Sequence, residues 1–114
     1  MAIVCGNTFV LKPSEQDPMT SMLLGALAIE AGLPPGVLNI VHGSGPTAGA
    51  SLVAHPGVRT ISFTGGTATG AAIARAAAPE FKRLTLEMGG KNPCVVRARA
   101  DLDRAAQGIA RSAY

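Results

Sequence analysis

Short β-branched and aromatic runs alternate along the chain with Ala- and Leu-rich segments, and turn residues separate them. The first run covers residues 8–12, and the turn-rich group Pro13-Ser14-Glu15-Gln16-Asp17-Pro18 follows it. Asp17 then Pro18 reads as a helix cap and a first helical position, so the pattern predicts a buried helix over 19–31. Gly32 ends it, and Pro34-Pro35 blocks continuation. A second strand is expected at 37–41, then a Gly-rich turn and a short helix over about 47–54, broken by His55-Pro56-Gly57. The run Thr60-Ile61-Ser62-Phe63 leads through Gly65-Gly66 into an Ala-rich helix that ends before Pro79, with Thr64 or Thr67 able to cap it. Residues 84–87 make a fourth strand and Cys94-Val95-Val96 a fifth, and Asp101 caps a last helix over 102–114. Strands alternating with helices predict an α/β unit, a mostly parallel sheet with helices on both faces. The last helix shows no C-cap signal after Ala113-Tyr114, so the sequence reads as part of something larger.

Composition narrows the class. A hydrophobic share of 47% in 114 residues is enough for one core, and 15% charge argues against disorder. Only 4% of residues are aromatic, too few for a stacking platform, and the net charge of +3 is scattered, so nucleic acid is not an expected partner. Lys82-Arg83 reads as a solvated surface pair. Cys5 and Cys94 have neither metal-ligand nor disulfide-framework spacing and sit among apolar neighbours; they read as reduced core thiols. The apolar stretch 19–29 is too short to span a bilayer, and the N-terminus lacks a basic flank, so cytoplasm is the expected location, with no membrane partner.

Three places can carry chemistry. A turn such as Gly65-Gly66 between strand and helix aims backbone N–H groups outward at the helix N-terminus, which suits a phosphate or pyrophosphate; it is also ordinary architecture. Lys12 and Glu15, just after the first strand, lie at the sheet edge where ligands bind, and read either as a grip on ribose hydroxyls or as two exposed charges. Glu87 ends an apolar strand before two glycines, where partial burial would suit a general base, although a strand-end glutamate is more often solvated. Neither Gly65-Gly66 nor Gly89-Gly90-Lys91 has P-loop spacing, and Gly43-Ser44-Gly45-Pro46-Thr47-Ala48-Gly49 departs from the dinucleotide fingerprint in its third glycine and Pro46. His42 and His55 read as loop residues, and no metal site is expected.

Taken together, several motifs in order resemble the NAD(P)-dependent aldehyde dehydrogenase superfamily. They are Gly6-Asn7-Thr8, Lys12-Pro13-Ser14-Glu15, residues 31–41, Gly45-Pro46-Thr47-Ala48-Gly49, Phe63-Thr64-Gly65 and Leu86-Glu87-Met88-Gly89-Gly90-Lys91. The resemblance implies a Rossmann-like sheet, with 1–114 forming part of an NAD(P)-binding domain that passes into the catalytic domain near 88–114. It further implies a cofactor set of Lys12, Ser14, Glu15, Gly45, Pro46, Gly49, Phe63, Thr64, Gly65, Gly66, Thr69, Met88 and Gly89. Within that set Lys12 and Glu15 would contact the adenosine ribose, Gly65-Gly66 would underlie the pyrophosphate, and Met88 would lie near the nicotinamide. Glu87 matches the family's general base. The implied cofactor is NAD or NADP, the substrate a small-molecule aldehyde, and the full-length form a homo-oligomer.

Two departures accompany the resemblance. The family's usual serine after Phe-Thr-Gly is Gly66 here, which removes one hydrogen-bond donor worth about 1 kcal/mol. The family's nucleophilic cysteine would come after Tyr114 and its oxyanion asparagine before Met1, and Cys94 does not match the nucleophile's motif. The chain alone is therefore expected to be inactive, or else to act as a non-catalytic nucleotide-binding or subunit-interaction module. Ala78-Pro79 followed by residues 84–93 resembles the 2-aminomuconic semialdehyde dehydrogenases.

Overall fold

The computed structural model describes residues 2–90 and 93–113. In chain order the elements are β1 (Phe9–Leu11), α1 (Met19–Glu30), β2 (Leu38–Ile40), α2 (Ala50–Ala54), β3 (Thr60–Gly65), α3 (Thr67–Ala77), β4 (Arg83–Met88) and α4 (Leu102–Ala113). A wide π-helical turn, Gly45–Gly49, opens α2, and a 3-10 turn, Ala78–Glu80, follows α3. The fold is α/β and every observed strand pair is parallel: β1 with β2, and β3 with β4. Among the described residues these are two separate two-stranded ladders. Cys94 to Val96 pairs with neither and lies instead beside α4, so no fifth strand forms there.

Local physics explains most of the boundaries. Gly32 at φ 81° ends α1, a left-handed conformation that glycine adopts without a Cβ penalty. The Asp101 carboxylate accepts the Arg104 N–H at 3.0 Å and caps α4 as its position suggested. Two other expected caps do not form. No side chain caps α1, whose N-cap position is Pro18 rather than Asp17, and none caps α3, whose N-cap is Gly66 rather than a threonine.

Packing departs further from expectation. The helix α1 contains no buried residue, and Leu23 and Ile29 are 61% and 78% exposed. It meets β2 through small residues instead: a Cβ at Gly25 would come within 2.8 Å of Ile40 Cδ1. Met22, Leu24 and Leu27 are likewise about half exposed. Cys5 and Cys94, expected in a core, are both exposed free thiols.

The chain by itself has almost no interior. Val53 and Ala77 are the buried hydrophobic residues among those described, and the accessible surface is 9210 Å². A compact protein of this mass exposes about 5,800 Å². The radius of gyration, 18.1 Å, exceeds the roughly 13 Å of a compact domain of this length. Expressed alone, the chain should therefore bind the dye ANS strongly and melt without a cooperative transition. A sharp two-state melt without dye binding would contradict this.

Candidate functional site

The carboxyl ends of β3 and β4 lie side by side. Their register pairs Ile61 with Leu84, Phe63 with Leu86, Thr64 with Glu87 and Gly65 with Met88. Strand alternation sends Ile61, Phe63, Leu84, Leu86 and Met88 to a half-buried face, and Ser62, Thr64, Thr85 and Glu87 to an exposed one. The helix α3 packs on both strands. Its Gly70 is buried against Met88, and a Cβ there would overlap the Met88 thioether. Glu87 is exposed, the solvated strand-end alternative rather than the partly buried one, because its position in the alternation places it on the open face.

The turn between β3 and α3 is stripped of side chains. Phe63 and Gly65 share one face, and the Phe63 ring folds so closely over Gly65 that a Cβ there would lie 2.6 Å from Cζ. Gly66 is extended at φ −68°, ψ 143°, and a Cβ on it would meet nothing within 4 Å. No side chain caps α3, so the N–H groups of its first turn, where Thr69 also lies, keep their donor capacity for an outside acceptor. Gly89, at φ 50°, closes the other side, its Cβ position 3.3 Å from Thr67 Oγ1. The structure thus gathers Phe63, Thr64, Gly65, Gly66, Glu87, Met88 and Gly89 at one edge.

A second group forms after β1. The Lys12 ammonium donates to the Pro13 carbonyl at 2.7 Å and to Glu15 Oε2 at 3.4 Å. Its stem packs on Gly49, 3.6 Å from where a Cβ would sit, leaving the Lys12 side chain only 14% exposed. Lys12 is therefore not a free surface charge. Ser14 accepts the Gln16 N–H through its hydroxyl at 3.2 Å and fixes the turn.

The Glu15 carboxyl is held below the usual carboxylate range. Its own backbone N–H is the main cause, followed by the Lys12 hydrogen bond; desolvation opposes these, and the Lys12 charge and the Gly45 N–H add smaller contributions. A lowered folded value favours folding above the ordinary carboxylate range, and that contribution is lost as pH falls through the lowered value. Glu15 is exposed, which keeps the effect small.

The turn Gly45–Gly49 is built by a Gly49 N–H to Ser44 carbonyl bond at 3.3 Å, with Pro46 near its start and the Ser44 and Thr47 hydroxyls 2.8 Å apart. Gly43 makes the approach possible: it lies at φ 146°, and a Cβ on it would fall 2.7 Å from Ala48 Cβ. Lys12, Glu15, Gly45 and Gly49 are brought together here.

One residue of consequence was not expected. Lys82, read from sequence as a solvated surface charge, is half-buried and donates to the Val53 and His55 carbonyls at 2.6 and 2.7 Å. The only sequence signal is a lysine directly before an apolar strand. Among the described residues no cluster of His, Cys, Asp or Glu could hold a metal ion, and no helix is long and apolar enough to cross a membrane.

Comparison with known proteins settles the ancestry of this arrangement. The Aldehyde dehydrogenase family pattern matches residues 1–114. The chain belongs to the aldehyde dehydrogenase family. It is 56% identical over 107 residues to human retinaldehyde dehydrogenase 3, covering 93% of the chain and 21% of that protein. It is 53% identical over 114 residues to 2-hydroxymuconic semialdehyde dehydrogenase of Pseudomonas sp. (strain CF600), covering 99% and 24% respectively. Among solved structures, an aldehyde dehydrogenase C variant from Pseudomonas syringae, complexed with NAD+ and octanal, superposes with a TM-score of 0.80 at 48% identity. That match covers 94% of this chain and 22% of the other. The chain thus spans about a fifth to a quarter of the length of the relatives it matches.

That relationship allows the geometry to be tested in a complete subunit, by letting this aldehyde dehydrogenase segment replace the matching stretch of retinaldehyde dehydrogenase 3. There Gly43→Ala, which meets both a left-handed backbone and Ala48, should destabilise by about 2 kcal/mol. Gly45→Ala, with open space around it, should leave the melting temperature unchanged. Equal melting of the two variants would contradict the packing described at Gly43.

Proposed function

We propose that the chain is the cofactor-binding part of an NAD-dependent aldehyde dehydrogenase, passing into the catalytic domain near 88–114. The observation that carries this reading is the uncapped start of α3, entered through the bare Gly65-Gly66 turn, at the edge where Glu87 pairs with Thr64. Its N–H donors and open Gly66 fit a pyrophosphate, which needs several donors and close backbone approach. The group around Lys12, Glu15, Gly45 and Gly49 takes the adenosine end. Glu15 favours NAD over NADP, because its carboxylate repels a ribose 2′-phosphate. Ser14 shapes that turn and Pro46 and Gly49 line it, while Phe63, Thr64, Thr69, Met88 and Gly89 border the dinucleotide further along.

Bound there, the dinucleotide supplies the hydride acceptor for aldehyde oxidation. The chain's own residues do the rest of the work assigned to them. Gly65 and Gly66 let the backbone approach, and the α3 N-terminus holds negative charge. Glu87, exposed on the open face and followed by Gly89-Gly90, takes a proton from the water that attacks the acyl thioester. That thioester forms on the family's cysteine, which corresponds to no residue of this chain, so the 114 residues alone are inactive in this reading. The likeness to retinaldehyde and 2-hydroxymuconic semialdehyde dehydrogenases supports an aldehyde substrate without choosing among aldehydes. A cytoplasmic, oligomeric full-length enzyme completes the proposal; the exposed free thiols of Cys5 and Cys94 fit a reducing compartment.

In a complete subunit carrying this segment, aldehyde should reduce NAD. Glu87→Gln should keep the first-turnover burst of NADH but lower steady-state turnover by about 100-fold or more. Unchanged steady-state turnover would remove Glu87 from the base role.

A further inference from the structure

Lys82 joins two elements that are far apart in sequence. Its ammonium donates to the carbonyl of Val53, in the last turn of α2, and to that of His55, its C-cap, which also accepts the Val58 N–H at 3.0 Å. The backbone is bent to deliver it. After the turn Ala78–Glu80, Phe81 adopts a left-handed conformation, φ 51° and ψ 36°. Phe81 is 94% exposed, so no packing among the described residues explains the conformation. The reversal lets the Lys82 N–H reach the Ala77 carbonyl at 3.4 Å and starts β4 with an Arg83 N–H to Arg59 carbonyl bond at 2.9 Å. The ammonium is thereby turned back onto α2.

What α2 carries makes this contact informative. Val53 is one of the two buried hydrophobic residues among those described, and α2 packs on α3. At its other end α2 grows from the turn Gly45–Gly49, which rests on the stem of Lys12. A lysine therefore grips each end of this short element. Lys82 also directly precedes β4, the strand that ends in Glu87 and Met88. One side chain couples the position of the adenosine-side turn to the strand bearing the proposed base.

We infer that Lys82 is a positioning residue for cofactor binding, acting through α2 and the turn Gly45–Gly49. It lies at the opposite end of β4 from Glu87 and takes no part in the chemistry. This inference rests on the function proposed above, and the test separates the two.

In a complete subunit carrying this segment, Lys82→Met should raise KM for NAD about fivefold, because the binding-competent placement of 45–54 becomes a smaller fraction of the population. The kcat at saturating NAD should stay within about twofold, since a bound cofactor restores that placement. Amide hydrogen exchange over 45–54 should quicken in the same variant. Lys82→Arg, which can still donate to two carbonyls, should recover most of both effects. If Lys82→Met does not fold, Lys82→Gln serves in its place with the same expected shifts. Unchanged KM and unchanged exchange over 45–54 would overturn the inference, as would a fall in kcat at constant KM. A parent subunit that reduces no NAD would overturn the functional reading instead, and the exchange measurement would still decide whether Lys82 holds α2.

Discussion

The parallel pairing of β3 with β4 is the constraint on which the rest of the site depends. Two parallel neighbours require a crossover between them, and here that crossover is α3 with its short 3-10 extension. The N-terminus of α3 must then open at the same edge where both strands end. Register does the remaining work. Thr64 opposite Glu87 and Gly65 opposite Met88 put a carboxylate on the open face and a thioether against Gly70. A slip of one residue would exchange them, burying the charge and exposing the thioether.

Much of this was legible in the sequence because it is local. β-branched runs, glycine and proline punctuation and the Asp101 cap mark elements whose cause lies within a few residues. The turn at Gly65-Gly66 was readable from its strand–glycine–helix pattern, and the motif string from Gly6 to Lys91 pointed to the family. What could not be read was tertiary. Cys94 to Val96 has strand composition, but no partner strand lies beside it among the described residues. The helix α1 has the composition of an interior helix, yet it docks through Gly25 and leaves Leu23 and Ile29 in solvent. Burial of Glu87 depended on what covers one face of β4, and the grip of Lys82 depended on a partner 27 residues away. Propensity carries no information on either.

The missing interior and the short coverage of relatives belong together. A segment spanning about a fifth to a quarter of its relatives' length exposes faces that sequence composition alone would place in a core. The local devices persist without that core: the Lys12–Glu15 pair, the Gly43 approach to Ala48, the Lys82 bonds and the α3 N-terminus are each built from neighbouring backbone and one or two side chains. They preorganise the edge, while the larger stability must come from surface buried elsewhere.

In the proposed function the turn at Gly65-Gly66 seats the cofactor's pyrophosphate. Gly66 has a backbone that any residue can adopt and open space where a Cβ would go, so a serine there would add a donor without disturbing the fold. The most direct test is calorimetric titration of NAD into a complete subunit carrying this segment, with and without Gly66→Ser. A pyrophosphate seated there predicts about fivefold tighter binding in the variant, the worth of one added hydrogen bond. Unchanged or weaker binding would contradict it.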